Sequence, residues 1–148
     1  MSTLPTDGIL PYLAVSDAER AIALYADVFG MVELYRLAWE GRIGHAELEF
    51  NGGRLLISDE FPEAEVRGPT HYRGTPVSLL LYVKDVNATT KKAVAAGFDQ
   101  QGDIKDEFFG DRVVKLVDPF GHRWFVHQRL EDVSIDEIKR RAGVVPAV

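Results

Sequence analysis

The chain has 148 residues, 46% hydrophobic and 27% charged, enough to bury one sizeable core and too few for two independent ones. It contains no cysteine, which excludes disulfides, thiolate metal sites and cysteine nucleophiles. Its formal charge of -6 opposes nucleic-acid binding, because phosphate neutralisation needs a clustered basic stripe and the densest basic run here is the short "KRRA" near the end.

No apolar run approaches the ~18 residues of a membrane span, and the opening "MSTLPTDGILPYLAV" has no basic region followed by an apolar stretch. The expectation is a cytoplasmic protein without membrane contact. The first element is the apolar strand "YLAV". A helix follows, capped by Asp17, with Ala21, Ile22, Tyr25, Val28 and Phe29 at helical spacing and Gly30 as its stop. Three strand-like stretches come next, "MVELYRLAWEG", "IGHAELEFNGG" and "RLLISDEF", with Asn51-Gly52-Gly53 as the strongest hairpin signal. Residues 62–74, rich in Pro, Gly and charge, read as a linker in which His71 is a loop residue.

The second half repeats the first. "SLLLYV" is a strand, Asp85 or Asn87 caps a short helix, and Gly97 ends it. "GDIKDEFFGD", "RVVKLVDPFG" and "HRWFVHQRL" then read as three strands, with Asp118-Pro119-Phe120-Gly121 as the turn that matches Asn51-Gly52-Gly53. Aligning Val15 with Val83 also aligns Asp17 with Asp85, 68 residues on. The reading is a duplication of a βαβββ module, over about residues 7–61 and 75–129 of a single domain, followed by a short C-terminal helix at about 134–142. Ser134 and Glu137 mark that helix as a capping box.

Two modules with the helix signatures "DAERAIALYADVFGM" and "DVNATTKKAVAAGFD", and a "DPFGHRW" turn before the last strand, resemble the vicinal oxygen chelate superfamily, which groups glyoxalases, bleomycin-resistance proteins and dioxygenases. The stretches "PYLAVSDAERAIALY", "GHAELEFNGGRLLISDE" and "FFGDRVVKLVDPFGHRW" and the tail "LEDVSIDEIKRR" resemble its PhnB-like branch. The resemblance implies an α+β fold whose two βαβββ modules form a curled, cup-like mixed sheet holding a metal or a small molecule, and a homodimer. In the superfamily's enzymes the first and last strands of each module supply metal ligands. The matching positions here are Leu10, Leu56, Ser78 and Phe125, and a shift of a residue or two recruits at best Ser58 or His127. Leucine and phenylalanine offer a cation no lone pair, so no metal and no cofactor are expected at the usual site.

Strand alternation places His122 and Trp124 on one face of the last strand, packing near the helix, with Arg123, Phe125 and His127 on the other. In "HAELEF" the apolar row is Ala46, Leu48 and Phe50 and the polar row His45, Glu47 and Glu49. The polar row faces either solvent or the cup. The same parity adds Tyr12, Ser78 and Tyr82 to the candidate lining, and Trp39, Phe108 and Phe109 are either core or aromatic walls. Carboxylates beside such aromatics suit a cationic or aromatic small organic guest. Arg112 is a candidate clamp for an anionic group. His45 with Glu47 is the one pair suited to acid–base work. Function is therefore expected to be small-molecule binding of the bleomycin-resistance type. The rivals are a metal-dependent lyase, isomerase or dioxygenase using displaced ligands such as His45, Glu47 and His127, and a structural or regulatory domain.

Overall fold

The computed structural model describes residues 3–143 and resolves into two compact units, Met1–Tyr72 and Arg73–Val148. In the first unit, β1 (Tyr12–Val15) leads into α1 (Ala18–Phe29) and then β2 (Val32–Trp39), β3 (Arg42–Phe50) and β4 (Gly53–Asp59). The sheet order is β1-β4-β3-β2, with β1 parallel to β4 and the other pairs antiparallel.

Both ends of α1 are set locally. The Asp17 carboxylate accepts from Arg20 N at 3.0 Å. Gly30, at φ 77, takes the left-handed conformation that lets its N–H reach the Ala26 carbonyl. The apolar stripe of α1 is buried on the sheet face that carries Leu13, Val15, Ala46, Leu48, Leu55 and Ile57. Asp59 ties the helix to the sheet, accepting from Ala18 N and from Ile43 N, each at 2.7 Å.

Two tight hairpins fix the register of β2, β3 and β4. Glu40 and Gly41 turn between Trp39 and Arg42, and Asn51 and Gly52 between Phe50 and Gly53, with positive φ at all four central residues. The stretch expected to be a linker carries structure: a 3-10 turn at Pro62–Ala64, a bridge between Phe61 and Val66, and α2 (Pro69–Tyr72).

The second unit runs β5 (Ser78–Tyr82), α3 (Val86–Ala95), β6 (Asp99–Gln100), β7 (Lys105–Asp106), β8 (Asp111–Val117), β9 (Arg123–Arg129) and α4 (Ile135–Arg141). Its sheet order is β5-β9-β8-β6, with β7 also on β8. Of the single strand expected over "GDIKDEFFGD" only the two residues of β7 are strand before β8 begins, and β6 lies ahead of the stretch. Gly102, at φ 91, parts β6 from β7, and Gly110, at φ 95, ends the turn that holds Phe108 and Phe109. Asp85, not Asn87, caps α3, accepting from Ala88 N at 3.0 Å.

Asp118 organises the turn before β9. One carboxylate oxygen accepts from Phe120 N and His122 N, and the other from Trp124 Nε1 at 2.9 Å, so the tryptophan is buried with its N–H satisfied. His122 is half-buried at the entry of β9. Ser134 Oγ accepts from Glu137 N, the expected N-cap of α4. No helix among the described residues is long and apolar enough to cross a membrane.

Candidate functional site

In the first unit the sheet face opposite α1 carries a connected polar cluster. Register places Tyr12, Leu56, Glu47 and Tyr35 in one row across the four strands, with His45 a step along β3. Tyr12 Oη and His45 Nδ1 share a hydrogen bond at 2.6 Å, and His45 Nε2 lies 3.2 Å from Glu47 Oε1. Tyr35 Oη donates to the same carboxylate at 3.1 Å, and Arg54 Nη1 pairs with its other oxygen at 2.8 Å. Glu47 is only 7% exposed. Such burial is tolerated because three donors satisfy the carboxylate and one of them carries the opposite charge. Burial, and then the Glu47 charge, raise the Tyr12 phenol above its ordinary pKa; the Tyr35 phenol is raised by burial and then by its hydrogen bond to Glu47.

His45 connects this cluster to an open groove of about 340 Å³ lined by Leu37, Trp39, Phe61, Ala64 and Val66. Trp39 is 62% exposed, so it is a wall and not core. The lining is apolar apart from the imidazole, the composition of a site for an organic guest.

In the second unit the face opposite α3 carries another cluster. Asp111, 1% exposed, accepts from Tyr82 Oη at 2.7 Å, from Arg129 Nε at 2.6 Å and pairs with His127 Nδ1 at 3.0 Å. Burial pushes the Asp111 carboxyl up, but these three partners outweigh it and hold the pKa below the usual carboxylate value. Phe109 stacks on His127 with ring centroids 5.9 Å apart. Further along the same face, Ser78 Oγ accepts from Arg123 Nε at 2.6 Å, beside Phe125.

Arg112 is parted from this group. It pairs in register with Gln128, whose side chain caps α3 on the opposite face, and its guanidinium is held bidentate by Asp106 at 2.7 and 3.1 Å. Strand alternation therefore turns it away from Tyr82 and His127, and its charge is already matched. Phe108 is exposed and meets Phe109 edge-on, so it is not core.

A family model described as Glyoxalase/Bleomycin resistance protein/Dioxygenase superfamily matches residues 8–126. The chain belongs to that superfamily. It is 38% identical over 133 residues to an uncharacterized protein of Mycobacterium bovis, covering 87% of this chain and 88% of that one. Among solved structures it is similar to TioX from Micromonospora sp. ML1, with 28% identity, a TM-score of 0.64 and coverage of 84% and 99% of the two chains. It is also similar to FosX, a fosfomycin resistance protein of Listeria monocytogenes solved with Mn(II) and sulfate, with 15% identity, a TM-score of 0.65 and coverage of 94% and 99%. At that identity the likeness to FosX speaks for the glyoxalase fold alone.

The donors at the superfamily's metal positions do not fit a metal. Leu56 stands between Tyr12 and Glu47 in its row, and the Ser78 oxygen already accepts from a guanidinium, a group that repels a cation. Of the displaced donors, His45 Nδ1 shares a hydrogen bond with Tyr12 Oη and Glu47 is paired with Arg54. Among the described residues no three His, Asp or Glu side chains gather as a metal site requires.

Sequence reasoning places Tyr12, His45, Glu47, Tyr82 and His127 in one candidate lining; the structure joins Tyr12, His45 and Glu47 in the first unit and Tyr82, His127 and Phe109 in the second. Sequence reasoning missed Tyr35, Arg54, Asp111 and Arg129. Asp111 had been read only as the neighbour of Arg112. Its parity with His127 across β8 and β9 was the available signal.

Proposed function

We propose that the chain binds a small organic molecule with an aromatic body on the first unit's sheet face, without a metal at the superfamily's usual position. The observation that carries this reading is the placement of His45, which belongs at once to a hydrogen-bonded cluster and to an apolar groove walled by Trp39, Leu37 and Phe61. Glu47 orients the imidazole and is itself neutralised by Arg54. The cluster thus offers a guest one polar handle, and the aromatic alternative is favoured over the cationic one. Glu47 acts through His45 as a positioning residue.

A thermal-shift screen of uncharged aromatic compounds tests the reading. A guest at 100 times its dissociation constant is expected to stabilise the protein by about 2.7 kcal/mol, an effect that Trp39→Ala and His45→Ala each remove. Stabilisation that survives both substitutions, or a screen without any stabilising aromatic compound, overturns it.

The PhnB-like placement of the chain and its assembly as a homodimer belong to the same proposal. The strand β2 forms a sheet edge whose outer backbone groups are open to pairing with a second copy. Light scattering is expected to give twice the 16.5 kDa chain mass at micromolar concentration, and a monomer across that range removes the dimer.

A further inference from the structure

Away from α3, the second unit's sheet carries two adjacent rows of side chains. One row is Ser78, Arg123 and Val117, and the next is Leu80, Phe125 and Lys115. Arg123 gives its Nε to Ser78 at 2.6 Å, which fixes the guanidinium plane and leaves the two Nη groups with no acceptor among the described residues. Arg123 and Lys115 are both half-buried, and neither has an ion-pair partner among the described residues. The nearest carboxylates on this face are engaged by other groups. Asp111 is taken up by Tyr82, His127 and Arg129, and the exposed Asp99, level with Val117, accepts from Gln101.

Two cations thus lie diagonally across β8 and β9 on one sheet face, partly withdrawn from water, in a chain whose formal charge is -6. Like charges brought near each other across strands repel, and partial burial adds to the cost of each. Beside them lie the apolar side chains of Phe125, opposite Lys115, and of Leu80, opposite Phe125 and 54% exposed.

We propose that this face binds an organic anion, a carboxylate on a flat apolar body. The Nη pair of Arg123 matches a carboxylate fork to fork, the Ser78 hydroxyl still has its proton to donate to one of the same oxygens, and Lys115 adds a second positive charge. The apolar body lies over Phe125 and Leu80. The site is carried by the second unit, whereas the groove beside Trp39 is carried by the first.

Titration of the full-length protein with 2-naphthoate and, in parallel, its neutral counterpart 2-naphthamide, followed by ¹⁵N–¹H spectra, tests the proposal. Saturable shifts are expected on β5, β8 and β9, with the acid binding at least about tenfold more tightly than the amide and weakening as salt rises. R123Q is expected to lose about tenfold in affinity for the acid and to leave the amide unchanged, and R123K, which keeps the charge but not the fork, to fall between. Equal binding of acid and amide, undiminished binding to R123Q, or no shifts on these strands overturns it. The comparison of acid with amide uses wild-type protein, so it decides even where a variant fails to fold.

Discussion

Glu47 and Asp111 are both carboxylates taken out of water and held by an arginine, a histidine and a tyrosine, and each carries a separate prediction. Replacing Glu47 by Gln keeps the shape and removes the charge that Arg54 needs, while Arg54 is itself nearly buried. Glu47→Gln is therefore expected to lower unfolding free energy by about 1–3 kcal/mol, read from urea denaturation. An unchanged denaturation midpoint would return the polar row to the solvated face of an ordinary sheet. Asp111 bears on pH. Its carboxyl is held below the usual value because His127, Tyr82 and Arg129 outweigh burial. A group depressed in the folded chain contributes stability that is fully present above its unfolded pKa of about 3.9 and is lost as pH falls through the folded value. Asp111→Asn is expected to be less stable at pH 7 and to show a shallower loss of stability between about pH 4 and pH 2 than the wild type. Parallel acid dependence in the two proteins would show that Asp111 is not the group responsible.

Among the elements, those with local signals were legible from sequence. Asp17 and Gly30 bracket α1, Asn51-Gly52 turns β3 into β4, and Asp118 closes the turn before β9, each through contacts within a few residues. What escaped depends on partners far along the chain. Tyr35 reaches Glu47 because β2 carries register shifts against β3, and a bulge cannot be placed by alternation in one strand. Arg54 and Arg129 join their carboxylates across strands, and the sequence offers several carboxylates to each. The β7–β8 turn was misread because its conformation is imposed by the tail. Gly110 sits at φ 95 under the Glu131 carbonyl and Val133, and its own carbonyl accepts from Leu130 N and Glu131 N. Arg141 of α4 reinforces the clasp through Glu131 and the Phe108 carbonyl. Gly110→Ala is therefore expected to cost clearly more than the ~1–2 kcal/mol of Gly41→Ala, where a Cβ meets open space and only the positive φ is penalised. Equal losses in urea denaturation would mean that the tail does not shape this turn.

For the whole molecule, the repeated order of strand, helix and strands is shared by both units, but their chemistry is not. The first unit places a neutralised carboxylate behind an imidazole at an apolar groove, and the second sets beside Phe125 two cations with no ion-pair partner among the described residues. What unites them is the absence of a suitable donor at Leu10, Leu56 and Phe125, and a Ser78 oxygen committed to Arg123. Both units therefore favour metal-free binding within a superfamily whose enzymes use metals. The most direct measurement is the metal content of untagged protein purified without added metal, by plasma mass spectrometry. Nickel, zinc, iron and manganese are each expected below about 0.1 per chain, and a content near one per chain of any of them would contradict metal-free binding.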